Sequence, residues 1–269
     1  MVSVRIASVI ASFREGLKLV NNLKHMIFLA LFLTAACVEK GLVEDNPQES
    51  FANAREPYDQ HNYDIAIKKL GEFKSRFPYS RYAIEAELLI ANSQFELGKF
   101  AEAGVDYEQF AKLHPKHPQM DFALFRIGMA YWKDAPEDID REQEYTQLAI
   151  HKWERLLKDY PQSPHTEEAR KFIATGHRRI AESEDFVARY YCRQKIWHSC
   201  AYHSLIILEH FANETALAKE AVRRAAYALE NLAREYDPNK RDKNLFDRDS
   251  NKEELLKKAE EFKERAKRL

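Results

Sequence analysis

The chain has 269 residues, 32% of them charged, and a formal net charge of −1 at neutral pH. So even a balance excludes a general attraction to nucleic acid, which calls for a basic face. Seven glycines beside nine prolines are too few tight-turn residues for a many-stranded sheet, and an all-α fold is expected.

The first element is short and apolar. Lys24-His25 leads into MIFLALFLTAA (Met26–Ala36), eleven residues that stop at Cys37. A bilayer span takes about 20 such residues. A positive flank, a core of roughly 7–15 apolar residues and small residues before the cut describe a secretory signal instead. Thr34-Ala35-Ala36-Cys37 resembles the bacterial lipobox, whose cysteine becomes the acylated first residue of the mature protein. By that resemblance residues 1–36 are a signal peptide and Cys37 is the lipidation site. Val38, in place of Asp, then implies sorting to the outer membrane. The weakly amphipathic lead, with Arg14 and Glu15, places the true start near Val20 or Leu23, which makes residues 1–22 a mis-called start. A core helix with an incidental cysteine is the alternative. Residues 37–47 are charged and end on Pro47, the composition of a tether.

Beyond the tether the chain repeats itself. HNYDIAIKKLGEFKSRFP (His61–Pro78) returns as GKFAEAGVDYEQFAKLHP (Gly98–Pro115). Tyr63 matches Phe100, Ala66 matches Ala103, Leu70 matches Tyr107 and Phe73 matches Phe110. Steps of 3, 4 and 3 put all four on one helical face, and the closing prolines stop the helix. The 37-residue period is near that of tetratricopeptide repeats, in which helix pairs stack because none buries its face alone. The expectation is an α-solenoid of about five helix pairs, with pairs one to three in residues 48–163 and pairs four and five in 164–236.

Pair one starts near Glu49, and Pro57 predicts a kink or an early stop in its first helix. Ser80 is placed to cap the next helix. Pair two runs from about Arg81 to Leu113, with Gly98 as a left-handed residue at its inner turn. His114 and His117 have a spacing that suggests a metal, but the flanking prolines hold the backbone extended and no third ligand is near. Pair three opens at Asp121–Trp132, with Gly128 in the small slot and Tyr131 in the aromatic slot. Lys133–Glu144, with six acidic residues and Pro136, reads as an insertion, a loose surface loop or else a partner contact. One helix of roughly 28 residues follows from His165. Its partner is Trp197–Phe211, with Trp197 in the aromatic slot and Cys200 in the Ala slot. A last pair is expected within Leu217–Tyr236. Residues 237–269 are a charged loop and a charged terminal helix, which caps the stack or frays.

No catalytic set assembles from this sequence. It has no Gly-x-Ser-x-Gly, no phosphate-binding glycine loop and no His-Glu-x-x-His. His151, His177, His198, His203 and His210 fall at unrelated helical phases. Neither enzyme activity nor a cofactor is expected. With Cys37 acylated, Cys192 and Cys200 remain. In an exported protein a bridge between them is conceivable, and two small buried residues are the preferred reading. Phe95, Phe125, Tyr131, Trp132, Tyr190 and Tyr191 either line a binding face or seal one pair to the next. Arg126, amid apolar neighbours, offers a planar fork for a carboxylate or carbonyl.

Several stretches are more specific than a generic repeat. They are Asp45-Asn46-Pro47, RFPYSRYA (Arg76–Ala83), HPKHPQMDFALFRIGMAYW (His114–Trp132), WERLLKDYPQSPHTEEARKF (Trp153–Phe172) and VARYYCRQKIW (Val187–Trp197). Together with the lipobox cysteine they resemble the lipoprotein D family of the outer-membrane barrel-assembly machinery, also called the competence lipoprotein family. The likeness covers roughly residues 37 to 236. It implies a lipid-anchored, periplasm-facing scaffold without catalysis. Its N-terminal pairs would receive unfolded outer-membrane proteins through their C-terminal strand signal, at Tyr79, Arg81, Phe125, Arg126 and Tyr131. Its C-terminal pairs would dock the barrel-forming insertase and accessory lipoproteins, at Tyr191, Trp197 and His203. The alternative role is that of a lipoprotein pilotin for secretins, or of a cell-wall-associated tetratricopeptide adaptor.

Overall fold

A computed structural model describes residues 46–212, 215–236 and 251–268. Among them the chain forms ten helices and no strand. They are α1 (Pro47–Asp59), α2 (Tyr63–Arg76), α3 (Arg81–Glu96), α4 (Phe100–Leu113), α5 (Met120–Asp134), α6 (Glu144–Asp159), α7 (Thr166–Arg193), α8 (Trp197–His210), α9 (Thr215–Glu235) and α10 (Lys252–Arg268). The expected signal peptide, Cys37, most of the expected tether and the expected loop 237–250 lie outside the described residues. No described helix is long and apolar enough to cross a membrane. The chain divides into two units at Ser50 and Phe51. In the first, Asn46 Oδ1 accepts a hydrogen bond from the Gln48 amide at 3.0 Å, at the start of α1.

In the second unit each helix from α2 on packs on its chain neighbours, as the repeat requires, and Phe51 and Ala54 of α1 join the core of α2. The 3-4-3 stripe forms the core. Ala66, Leu70 and Phe73 of α2 are buried, as are Ala103, Tyr107 and Phe110 of α4. Phe51, Ala54, Ala86 and Leu89 complete the first cluster. Met120, Leu124, Ile127, Trp153 and Leu156 join the second copy in the largest one.

Turns between pairs share one backbone relay. The amides of Phe77, His114 and Tyr160, each the residue before a proline, donate at 2.8 Å to the carbonyl four residues back. The amides of Ser80, His117 and Ser163 then donate to the carbonyls of Phe77, His114 and Tyr160, at 3.1, 3.0 and 3.0 Å. Proline sits between these two donors, at a place where no N–H is needed. Ser80 caps α3 as expected, its hydroxyl accepting from the Tyr82 amide.

The turns inside pairs one, two and four share a left-handed residue two places before the aromatic slot. His61, Gly98 and Lys195 have φ of 60°, 75° and 60°, ahead of Tyr63, Phe100 and Trp197. The amides of Lys99 and Ile196 reach back to the carbonyls of Gln94 and Tyr191, at 2.9 and 3.0 Å, in a Schellman arrangement. A side chain in this region costs about 1–2 kcal/mol. Lys195→Gly is therefore expected to stabilise the protein by about 1 kcal/mol, read as a higher urea midpoint with an unchanged slope.

Pro57 lies inside α1, which ends two residues later at Asp59, in keeping with the early stop. Three expectations need revision. The acidic insert is pinned, not loose. The buried Gln143 amide donates to the carbonyls of Asp138 and Arg141 at 3.0 and 3.2 Å, and Gln143 accepts from the Thr146 hydroxyl at 2.8 Å. No pair fits within 217–236, since α9 is one 21-residue helix. Its partner is the charged helix α10, which buries Leu255 and Ala259 and packs Phe262 and Ala266 beside them. Those four residues, in steps of 4, 3 and 4, form a narrow stripe along one face. The fifth pair is thus α9 with α10. Finally, Cys192 and Cys200 are joined in a disulfide across the α7–α8 turn, with Cα atoms 5.0 Å apart. The αL turn at Lys195 brings the last turn of α7 against the first turn of α8, within bridging range.

Candidate functional site

The residues singled out in pairs one to three do not form one patch. Tyr79, in the turn after Pro78, is fully exposed. Arg81 is exposed nearby, its Nη2 donating to the Tyr82 hydroxyl at 2.7 Å and its guanidinium 4.8 Å from that ring. Phe125 is buried and stacks on the His165 imidazole at 4.7 Å, closing the contact between α5 and α7. Phe125 and Arg126 are consecutive on a helix, about 100° apart, so while Phe125 is buried, Arg126 turns toward α3 and α4.

Arg126 belongs to a polar network that crosses α3, α4 and α5. Its Nε donates to the Tyr107 hydroxyl at 3.1 Å, and its Nη2 to Glu96 at 2.7 Å. Its guanidinium lies 3.8 Å from the centre of the Phe95 ring. The Tyr107 hydroxyl donates in turn to Asn92. Burial pushes the Tyr107 phenol well above its usual range, although Arg126 opposes the shift. Burial works against charge on Arg126, but Tyr107 and Glu96 outweigh it and hold the guanidinium more firmly protonated. The fork is therefore not free, as the sequence alone suggested. The hydroxyl of Tyr107 was the missed signal: it stands in a slot that the first repeat copy fills with Leu70.

Tyr131 serves a second network. Its hydroxyl donates to Glu108 at 2.8 Å, and Lys152 reaches the same carboxylate at 2.6 Å. Burial and then Glu108 push the Tyr131 phenol up to about 12. Burial alone would raise the Glu108 carboxyl, but Lys152 and Tyr131 hold it below its usual range. Across α3–α6, paired acids and bases thus sit beside aromatic rings.

The second set gathers at the α7–α8 turn, beside the disulfide. Tyr191 stacks on His203, with centroids 5.5 Å apart and planes 11° apart, and His203 Nδ1 lies 2.6 Å from Glu184. Tyr190 and Tyr202 flank this stack, both exposed. Trp197 is buried, with its indole N–H donating to Glu235 at 2.9 Å, and so it joins α8 to α9 instead of facing a partner. Exposed Tyr227 packs edge-on over it. Among the described residues no group of three or more His, Cys, Asp or Glu side chains is placed to hold a metal ion.

The family model described as YfiO, outer membrane lipoprotein, matches residues 43–245. The chain belongs to the YfiO family. The match spans α1 to α9 and ends before α10. Among YfiO-like relatives, the chain is similar to the outer membrane protein assembly factor BamD of Neisseria meningitidis serogroup A, at 26% identity. That alignment runs over 196 residues, 66% of this chain and 73% of the relative. The protein of the same name from Vibrio cholerae is 27% identical over 186 residues, 66% and 77% of the two chains. Among solved structures, a Podosopora anserina putative kinesin light chain with TPR-like repeats covers 82% of this chain and 96% of its own, at 14% identity and a TM-score of 0.35. That score is too low to carry weight.

Proposed function

We propose that this YfiO-family chain is an assembly factor for outer-membrane proteins, acting as a scaffold that holds polypeptides and makes no covalent bond. The observation that carries this reading is the family match from residue 43 to residue 245, together with relatives named as outer membrane protein assembly factors. Stacked helix pairs suit the work, because they present one long side-chain-lined face to an extended partner.

In this reading pairs one to three receive unfolded outer-membrane proteins, through exposed Tyr79 and Arg81 and the open edges of Arg126 and Tyr131. Buried Phe125 supports that face from behind. The surface around Tyr191 and His203 docks the barrel-forming insertase and accessory lipoproteins, and buried Trp197 holds α9 behind it. Lipid on Cys37 anchors the protein at the periplasmic face of the outer membrane.

Affinity purification of the full chain from mild detergent tests the proposal. The barrel-forming insertase is expected to co-purify, and intact mass is expected to show an acylated chain that begins at Cys37. Recovery of a secretin ring in place of the insertase would establish the pilotin role instead.

A further inference from the structure

The Arg126 guanidinium is fixed on two sides and exchangeable on a third. Phe95 lies against its face, and Tyr107 takes its Nε–H. Tyr107 is fully buried and bonded to Asn92, so this side is permanent. Glu96 is different. It is the last residue of α3, and its side chain is 42% exposed while that of Arg126 is 18% exposed. An ion pair at such an edge is worth only about 0.2–1 kcal/mol. Nη1 has no hydrogen-bond partner among the described residues.

We propose that Glu96 is a resident stand-in for a ligand's carboxylate, so that the outer edge of Arg126 is a carboxylate subsite gated by Glu96. The proposal rests on the polypeptide-binding role given above for this face. Nη1 and Nη2 present parallel N–H groups, the geometry that takes a carboxylate in bidentate fashion. Glu96 uses Nη2 alone. An incoming carboxylate that uses both nitrogens replaces one charge-assisted bond with two. Phe95 and Phe122, whose ring lies 5.7 Å from the guanidinium, flank the edge and suit an apolar residue next to that carboxylate. The carboxylate has two possible sources, the α-carboxylate of a chain end or an acidic side chain within an extended segment.

Three labelled peptides of alternating Thr and Val separate these sources. One ends in Phe with a free carboxylate, one is its C-terminal amide, and one is that amide with an internal Glu beside Phe. Binding to the full-length chain is measured by fluorescence anisotropy. Glu96→Gln removes the competing charge and is expected to tighten a carboxylate-bearing peptide about 2- to 5-fold, with the plain amide unchanged. Whichever acidic peptide responds identifies the source. Glu96→Asp keeps the charge but withdraws it by one methylene, so it moves affinity the same way even if Glu96→Gln is poorly folded. Equal affinities for wild type and both variants, or tightening of all three peptides alike, overturns the subsite while leaving the polypeptide-binding role intact. If no peptide binds any form of the chain, that role itself fails on this face and the subsite fails with it.

Discussion

Gly128→Ala is expected to lower the stability of the protein by about 3 kcal/mol, read as a fall in the urea midpoint. A methyl group there would sit 2.3 Å from Nε1 of Trp153 and 2.5 Å from its Cε2. That indole is fully buried and stacked on Phe172 at 5.0 Å, and it donates to the Phe125 carbonyl at 3.2 Å. It cannot retreat without losing both contacts. Two other glycines grade the effect. At Gly176 the new methyl meets Cδ1 and Cγ1 of buried Ile150 at 2.8 and 2.9 Å, an aliphatic side chain with no hydrogen bond to lose, so Ala costs less there, about 1–2 kcal/mol. At Gly104 the nearest atom is the Ala130 Cβ at 3.5 Å, an ordinary contact. Ala should there stabilise by about 0.5 kcal/mol through helix propensity alone. Similar costs at all three sites would show that close packing of α5 on α6 is not what Gly128 provides.

Removing the Cys192–Cys200 bridge is expected to cost about 2.5 kcal/mol, from the loop-closure entropy of its short span. The sequence separation is eight residues. Cys192→Ser with Cys200→Ala isolates the effect, since position 200 occupies the slot that the earlier repeats fill with Ala66 and Ala103. Wild-type protein in reductant should fall to the stability of the double variant, which should itself ignore the reductant. A wild-type urea midpoint that does not move in reductant would rule the bridge out. A second consequence concerns the Tyr191–His203 stack, whose two residues flank the bridge. Its geometry should loosen in the variant, and binding at this face should weaken with it.

Much of the fold was legible in local terms. The 3-4-3 spacing, the closing prolines, Gly98 and Ser80 each act within a few residues, and α2, α3, α4 and α7 begin and end where those signals placed them. What escaped was set by partners far along the chain. Arg126 looked free because Tyr107 and Glu96 lie 19 and 30 residues away from it. Phe125 looked accessible because adjacency in sequence hid the turn of the helix. The terminal helix could be read only as a cap or a frayed end, and not as the partner of α9, because lysines and glutamates surround its stripe of Leu255, Ala259, Phe262 and Ala266. That stripe has meaning only once α9 presents buried Ala225, Ala228 and Leu229. His61 and Lys195 gave no hint of a left-handed backbone, which the matching position Gly98 announces openly.

Among the described residues, the most extensive helix-to-helix packing joins elements that follow one another along the chain, and the covalent cross-link closes over eight residues. Such topology asks for little long-range searching. Each hairpin can consolidate on the one before it as the polypeptide emerges, amino terminus first. α10 follows α9 after the expected loop, and until it docks, the alanine-lined flank of α9 stays wet and adhesive. A chaperone or a quality-control protease meeting the chain in that interval would find the flank unprotected.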